Sequence, residues 1–336
     1  MINEHRVRGA LYGQALGDAL GLAGEFKSST LLELTYGPGG PTQFEDIHRP
    51  GGNGYTWKAG EWSDDTEQAL AILDAYLEDG DILPSTVGDR IRHWADTDGR
   101  GMGNHTWNVL THHLFMDAPI AASKEVWEQS GQRSAPNGAV MRTSAVGLLR
   151  PEDLDWTEQA AVRAAQVTHY DPRCVASSVA ISVAVAVLVT GGSVEAALDA
   201  ATARAQGYHP EINDFADMTL KQLKLDEGMD DPNLKGRPPI GYTYKCAGAG
   251  LWALSEWLRM DAEQYDDLAC DRYIKLVQQV IMAGGDTDTN GAVVGAVLGA
   301  HIGTDSMGWG LVADLIQELR PREALEARLA LLSTLR

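Results

Sequence analysis

A helical period runs through most of this chain and narrows the possible folds more than any other feature. In DDTEQALAILDAYLEDG, residues 64–80, the apolar pairs Ala69/Leu70, Ile72/Leu73 and Tyr76/Leu77 recur every three to four positions. That spacing places them on one face of an α-helix. Asp64, Asp65 and Thr66 stand just before the stripe, where a helix start favours caps and negative charge. Gly80 closes it, as glycine does at many helix ends. The same period appears in WTEQAAVRAAQVTHY, YKCAGAGLWALSEWLRM, LACDRYIKLVQQVIMAG and the C-terminal REALEARLALLSTLR. Strand-like alternation is scarce. ISVAVAVLV has the β-branched content of a buried strand, but with RCVASSVA before it the run is long for one, and a core helix is the favoured reading.

The length of 336 residues allows one large or two ordinary domains, and an apolar share of 44% supports a full core. No tandem repeat, low-complexity segment or flexible linker interrupts it. A formal net charge of −20 argues against a nucleic-acid binder, which needs a basic surface to displace counterions. Cys174, Cys246 and Cys270 are widely spaced and form no CxxC, which fits a reducing cytoplasm and offers no disulfide framework. Gln14 and Asp18 interrupt the apolar N-terminal segment, so no signal peptide is expected. The most apolar run, Val175 to Thr190, carries three serines and is short for a bilayer, so no membrane span is expected either.

Two acidic clusters stand out. WSDDTEQAL holds Ser63, Asp64, Asp65 and Thr66; GGDTDTNGAV holds Asp286, Thr287, Asp288 and Thr289. A lone DD before a helix is most often a cap with an acidic first turn. The second cluster lies in a Gly-rich, strongly apolar setting, where buried carboxylates need a counter-charge. A divalent cation supplies one, and carboxylates with hydroxyls form a hard oxygen site suited to Mg²⁺ or Mn²⁺ rather than Zn²⁺. The histidines of GNHTWNVLTHH have no acidic or cysteine partner at zinc-ligand spacing. There is no GxSxG.

In GQALGDALGLAGEF, Gly13, Gly17 and Gly21 recur every four residues, a small-residue stripe that suits close helix contact better than a phosphate loop. Glu25 follows at the expected helix end, where the dipole disfavours it. SAPNGAVMRTSAVGLL, residues 134–149, reads as the start of an apolar helix. It is either an ordinary capped helix or one whose free N–H groups bind phosphate with Arg142 adding charge. Two segments rich in Gly and Pro, 36–60 and 226–242, read as long ordered loops.

Taken together and in this order, these motifs resemble the ADP-ribosylglycohydrolase family. The matches are GxxxGDALG with its following glutamate (Gly13 to Glu25), SDDT (Ser63 to Thr66), NGxxMR (Asn137 to Arg142), TH with a nearby proline (Thr168 to Pro172) and GGDTDTN with its apolar helix (Gly284 to Ala300). The resemblance implies an all-α single domain over residues 1–336 with a central binuclear metal site holding two Mg²⁺, or Mn²⁺ in their place. It assigns Ser63, Asp64, Asp65, Asp286, Asp288 and Thr289 to the metals, and Glu25 and Asp65 to catalysis. Ser134, Pro136, Asn137 and Gly138 would cradle the diphosphate, Met141 would also bind substrate, His169 would lie beside the ribose and phosphate, and Tyr242 would lie near the adenine.

The implied reaction is Mg²⁺-dependent removal of ADP-ribose from a modified protein side chain, with arginine favoured. One departure bears on this. Where many members carry a DIGNTT-like segment, this chain has DTDGRGMGNHTWN, so Asp98 or Asp96 stands in for that aspartate or neither does. Three alternatives stay open: a serine linkage, a small-molecule N-glycoside containing ADP-ribose, or a non-catalytic ADP-ribose-binding relative.

Overall fold

The structure is a computed structural model that describes residues 2–49, 51–227, 240–263 and 267–334. Among these residues it is built from helices: α1 (Glu4–Gly21), α2 (Ser29–Tyr36), α3 (Asp64–Asp79), α4 (Pro84–Thr97), α5 (Asn104–Leu110), α6 (Pro119–Gln129), α7 (Val140–Thr143), α8 (Leu154–Gln166), α9 (Pro172–Val189), α10 (Val194–Ala205), α11 (Ile212–Ala216), α12 (Leu220–Leu223), α13 (Thr243–Ala262), α14 (Ala269–Met282), α15 (Thr287–Met307), α16 (Gly310–Glu318) and α17 (Arg322–Thr334). Extended pairing among the described residues is limited to isolated bridges such as Lys27 with Gly285 and Pro136 with Tyr242. One apolar core runs from Val7 on α1 to Leu332 on α17, which makes the chain a single all-α domain.

The central contact is between α1 and α15, which run antiparallel with their backbones touching. A methyl group added at Gly13 would lie 2.9 Å from the carbonyl carbon of Gly295. One at Gly17 would lie 2.5 Å from that of Gly291, and one at Gly21 would lie 2.5 Å from the Cα of Asp288. Only glycine permits this approach, and it occurs on both helices. The stripe expected from the sequence is therefore a helix contact, and its consequence is positional. The C-terminal end of α1, with Asp18 and then Glu25, is brought beside the N-terminal end of α15, with Asp286 and Asp288. Thr287 Oγ1 donates to the Gly21 carbonyl at 2.7 Å and ties the two ends together.

Helix α3 is anchored to the same place. Ser63 is its N-cap and Gly80 its left-handed C-cap, as the sequence pattern predicts. Asp18 reaches across from α1 and accepts from Ser63 N at 2.9 Å, Thr66 N at 3.0 Å and Thr66 Oγ1 at 2.6 Å. It satisfies the free donors of a helix it does not belong to.

The run ending in ISVAVAVLV is helix α9, with Asp171 as N-cap and Pro172 in its first turn. It is long and apolar enough to cross a membrane, but 83% of it is buried inside the fold. The expected apolar helix at 134–149 is different in form. Helix α7 has four residues and passes into a 3-10 turn, Ser144–Leu148. Gly147 lies there against α9, where an added methyl group would meet the Val185 side chain at 2.9 Å, so the segment follows its neighbour rather than a long helix of its own.

The loop after α2 contains a short 3-10 helix, Phe44–His48. Ile47 and Trp57 bury against Leu22 beyond the end of α1. This packing holds the loop over the acidic centre. In the second long loop, residues 228–239 lie outside the described residues.

Candidate active site

Where α1, α3 and α15 converge, the molecule has a cleft of about 320 Å³. Its floor carries Glu25, Asp64, Asp65, Asp286 and Asp288, with Thr289 beside them. Asp18 lies behind them, fully buried. Oxygen atoms of Asp18, Asp65 and Asp288 lie within 4.8 Å of one another, and so do those of Glu25, Asp286 and Asp288. Asp288 belongs to both groups. The two acidic clusters, more than 200 residues apart in sequence, thus meet in one place.

The electrostatics of this floor are unfavourable as they stand. Among the described residues, none of these six acids is in an ion pair with a lysine or arginine. Burial first, and then the negative charges of Asp286, Asp64 and Asp18, push Glu25 up to about 8. Burial, Asp18 and Asp286 push Asp64 up to about 8 as well. Asp65 and Asp288 are raised well above the usual carboxylate range, again chiefly by burial and then by their acidic neighbours. Asp18 is also desolvated, but hydrogen bonds from Thr66 and Ser63 oppose the effect and it rises only to about 6.

Two buried oxygens on this floor, Asp65 Oδ1 and Asp288 Oδ1, have no hydrogen-bond partner among the described residues. Buried acceptors without partners are costly and call for an explanation. A hard divalent cation accounts for both the missing partners and the missing counter-charge. The residues present fit such a group: an all-carboxylate donor set, two three-oxygen clusters and two free oxygens.

Around this floor the structure places the remaining sequence-derived candidates as follows. Ser63 sits beneath the cleft, where its Oγ donates to Asp65 Oδ2 at 2.8 Å. Asn137 donates to Asp286 Oδ2 at 2.8 Å, which links the opposite wall to the acids. Ser134, Pro136, Gly138, Met141 and His169 line the same wall. Tyr242 stands behind Pro136 and packs edge-on against Tyr244 and Phe215, away from the lining.

Asp98 is exposed and pairs with Arg100 at 2.7 Å. The cleft is lined from that segment by Gly101, Gly103, Asn104 and Thr106 instead. Arg142 does not face a ligand. Its guanidinium is fully buried and donates to Gln68 Oε1, Gly138 O, Ala164 O and Thr168 Oγ1.

Several contributors were not singled out from the sequence. Asp18 read only as an interruption of an apolar segment; its place in the glycine stripe was the available signal. Asn53 donates to Glu25 Oε2 from the long loop. Gln68, one turn into α3, donates to Asp64 Oδ2 at 3.2 Å. His105 stacks beside His169 with ring centres 4.7 Å apart. Phe26, at the rim, is 55% exposed and has the left-handed φ of 57°, unusual for a bulky residue.

A buried acidic floor with two groups of carboxylates able to hold a metal ion, under a polar, uncharged wall, is a cleft fitted for hydrolysis. The chain belongs to the ADP-ribosylglycohydrolase family, whose profile matches residues 2–336, and it is a glycosidic-bond hydrolase. It is 24% identical to the ADP-ribosyl-[dinitrogen reductase] glycohydrolase of Rhodospirillum rubrum, covering 97% of this chain and 96% of that one. It is 23% identical to the ADP-ribosylarginine hydrolase Tri1 of Serratia proteamaculans, covering 94% of this chain and 76% of that one. Its fold is similar to that of a solved ADP-ribosylglycohydrolase-related protein complex, with a TM-score of 0.62 at 24% identity over 98% of each chain.

Proposed function

We propose that this enzyme removes ADP-ribose from modified arginine side chains of proteins and that two Mg²⁺, or two Mn²⁺, serve the reaction. The observation that carries the reading is the pair of carboxylate clusters joined at Asp288 on the cleft floor. The first cluster would take its ligands from Asp18, Asp65 and Asp288 with Ser63 and Asp64 beside them, and the second from Asp286, Asp288 and Glu25 with Thr289 beside them. Cations held there supply Lewis acidity and a fixed positive charge for the ribose hydroxyls.

The chain's own residues do the rest. Glu25 sits on the cleft floor beside Asp286 and Asp288, and Asn53 holds its Oε2. Its raised pKa suits a group that exchanges a proton near neutral pH. Asp65, steadied by Ser63, is the second carboxylate for this work. Ser134, Gly138 and His169 hold the diphosphate and ribose so that the bond is fixed in place, which contributes a large part of the rate. The uncharged wall limits repulsion toward an anionic ligand to the floor. Arginine is favoured as the target because the named relatives include an ADP-ribosylarginine hydrolase.

The test is ADP-ribose release from arginine-ADP-ribosylated protein, with Mg²⁺ or Mn²⁺ and with chelator, comparing the parent with Asp64→Ala/Asp65→Ala. Metal-dependent release lost in the variant is expected. Release from seryl-linked but not arginyl-linked protein would replace the linkage. Release only from a free ADP-ribosylated compound would replace the substrate class. Tight ADP-ribose binding without release from any of them would make the chain a binding protein.

A further inference from the structure

The side of the cleft opposite the acids contains a short chain of hydrogen bonds that begins at Arg142. Arg142 Nη2 donates to Thr168 Oγ1 at 2.7 Å. Thr168 Oγ1 lies 2.7 Å from His169 Nδ1. A threonine hydroxyl has one proton to give and two lone pairs. The guanidinium can only donate, so the hydroxyl oxygen accepts from it. Among the described hydrogen bonds the hydroxyl proton has no acceptor other than His169 Nδ1. The direction is therefore set from Arg142 to Thr168 to His169.

From this direction we infer that Arg142 and Thr168 are positioning residues that lock His169 as the neutral Nε2–H tautomer, with that N–H presented to the ligand as a fixed donor. His169 Nε2 is buried and has no hydrogen-bond partner among the described residues, and His169 lines the cleft. The residue itself is 1% exposed. Gly138 makes room for the ring, since a methyl group there would stand 3.0 Å from Nε2.

The neighbouring histidine follows the same logic. His105 Nε2 lies 3.0 Å from the Thr168 carbonyl, which can only accept, so His105 also carries its proton on Nε2. Its Nδ1 then accepts from Ser134 Oγ at 3.1 Å. Burial first, then the neighbouring His105 and the positive charge of Arg142, keep His169 well below the usual histidine range, which agrees with a neutral ring. A neutral N–H donor suits an oxygen acceptor, a phosphate oxygen or a ribose hydroxyl. That ligand rests on the ADP-ribose reading above; the tautomer does not.

The experiment uses the full chain labelled with ¹⁵N-histidine, with His169 assigned by comparison with His169→Gln. Long-range ¹H–¹⁵N spectra report its tautomer, and calorimetry with ADP-ribose reports affinity. The parent is expected to show the Nε2–H form. Thr168→Val, which keeps the shape and removes the hydroxyl, is expected to mix the tautomers and weaken ADP-ribose about tenfold, the cost of one misdirected hydrogen bond. Thr168→Ser restores both.

An Nδ1–H or imidazolium form in the parent at neutral pH overturns the inference. So does a folded Thr168→Val variant with unchanged tautomer and affinity. Should that variant fail to fold, the parent and Thr168→Ser spectra still decide. An Nε2–H parent that does not bind ADP-ribose supports the lock and refutes the ligand reading.

Discussion

Replacing Gly21 with alanine tests whether the glycine contact between α1 and α15 is what assembles the site. The added methyl group would lie 2.5 Å from Asp288 Cα and 2.7 Å from Asp288 N, and would also press on the Thr287 carbonyl. Ordinary contact begins near 3.4 Å. Asp288 must therefore retreat by about 0.9 Å, and the obstacle is backbone, which cannot rotate aside. Overpacking of this kind costs up to about 3 kcal/mol, which in a chain of 336 residues lowers the melting temperature by up to about 4 °C.

The retreat also exceeds the tolerance of about 0.5 Å that a metal or catalytic constellation allows. Asp288 is the residue shared by both carboxylate clusters, so cation binding should weaken more than tenfold. Calorimetric titration with Mn²⁺ and thermal melts, with and without chelator, measure both effects. Gly88→Ala is the control: it sits inside α4 with neighbours no nearer than 3.5 Å, and should be neutral or slightly stabilising. A Gly21→Ala protein that melts and binds Mn²⁺ like the parent would refute the account of how the site is built.

Other expectations follow from the same geometry. Glu25 and Asp64 hold protons up to about pH 8 in the metal-free fold, whereas the unfolded chain releases them near pH 4. The stability these two groups contribute without metal should thus be complete below pH 4 and be lost as pH rises toward 8; melts in chelator from pH 5 to 8 that stay flat would contradict this. Over the same window the stabilisation by added Mg²⁺ should grow. Asp18→Asn puts an amide N–H against donors at Ser63 or Thr66 and should cost about 1–3 kcal/mol, read from denaturant melts, together with loss of cation-induced stabilisation.

Asn53→Ala removes a hydrogen bond that lowers the Glu25 pKa, so the limb of the activity–pH profile governed by Glu25 should move to higher pH. Asp98→Ala breaks an exposed pair with Arg100 and should leave both melting and turnover within error. A large loss of turnover there would assign Asp98 a role that its place outside the cleft does not suggest.

Much of this site was legible in the sequence because its chemistry is local. The caps of α3, the acidic residues of GGDTDTN and the small-residue stripe of α1 are each written within a few adjacent positions. Asp18 was harder to see. It sits inside a helix with no acidic neighbour, and only the arrival of Ser63 and Thr66 from α3 gives it a role. Asn53 and Gln68 were hidden for the same reason, since each acts on a carboxylate that another segment or turn provides. The sequence left open whether Arg142 adds charge for an anion, because a charge beside a Gly-rich turn fits that use as well as a structural one. Its burial among Gln68, Ala164 and Thr168 comes from helices that its own segment does not reveal.

By itself, then, the order of residues determined the helices, their caps and the two acid-rich turns, all of which depend on interactions between near neighbours. Only the tertiary structure decided that those turns share one floor. The physical reason lies in Gly13, Gly17 and Gly21 facing Gly295, Gly291 and Asp288, and in Asp18 of α1 capping the start of α3. Without side chains between them the two backbones touch, and the ends of two helices some 270 residues apart in the chain are pressed into one site.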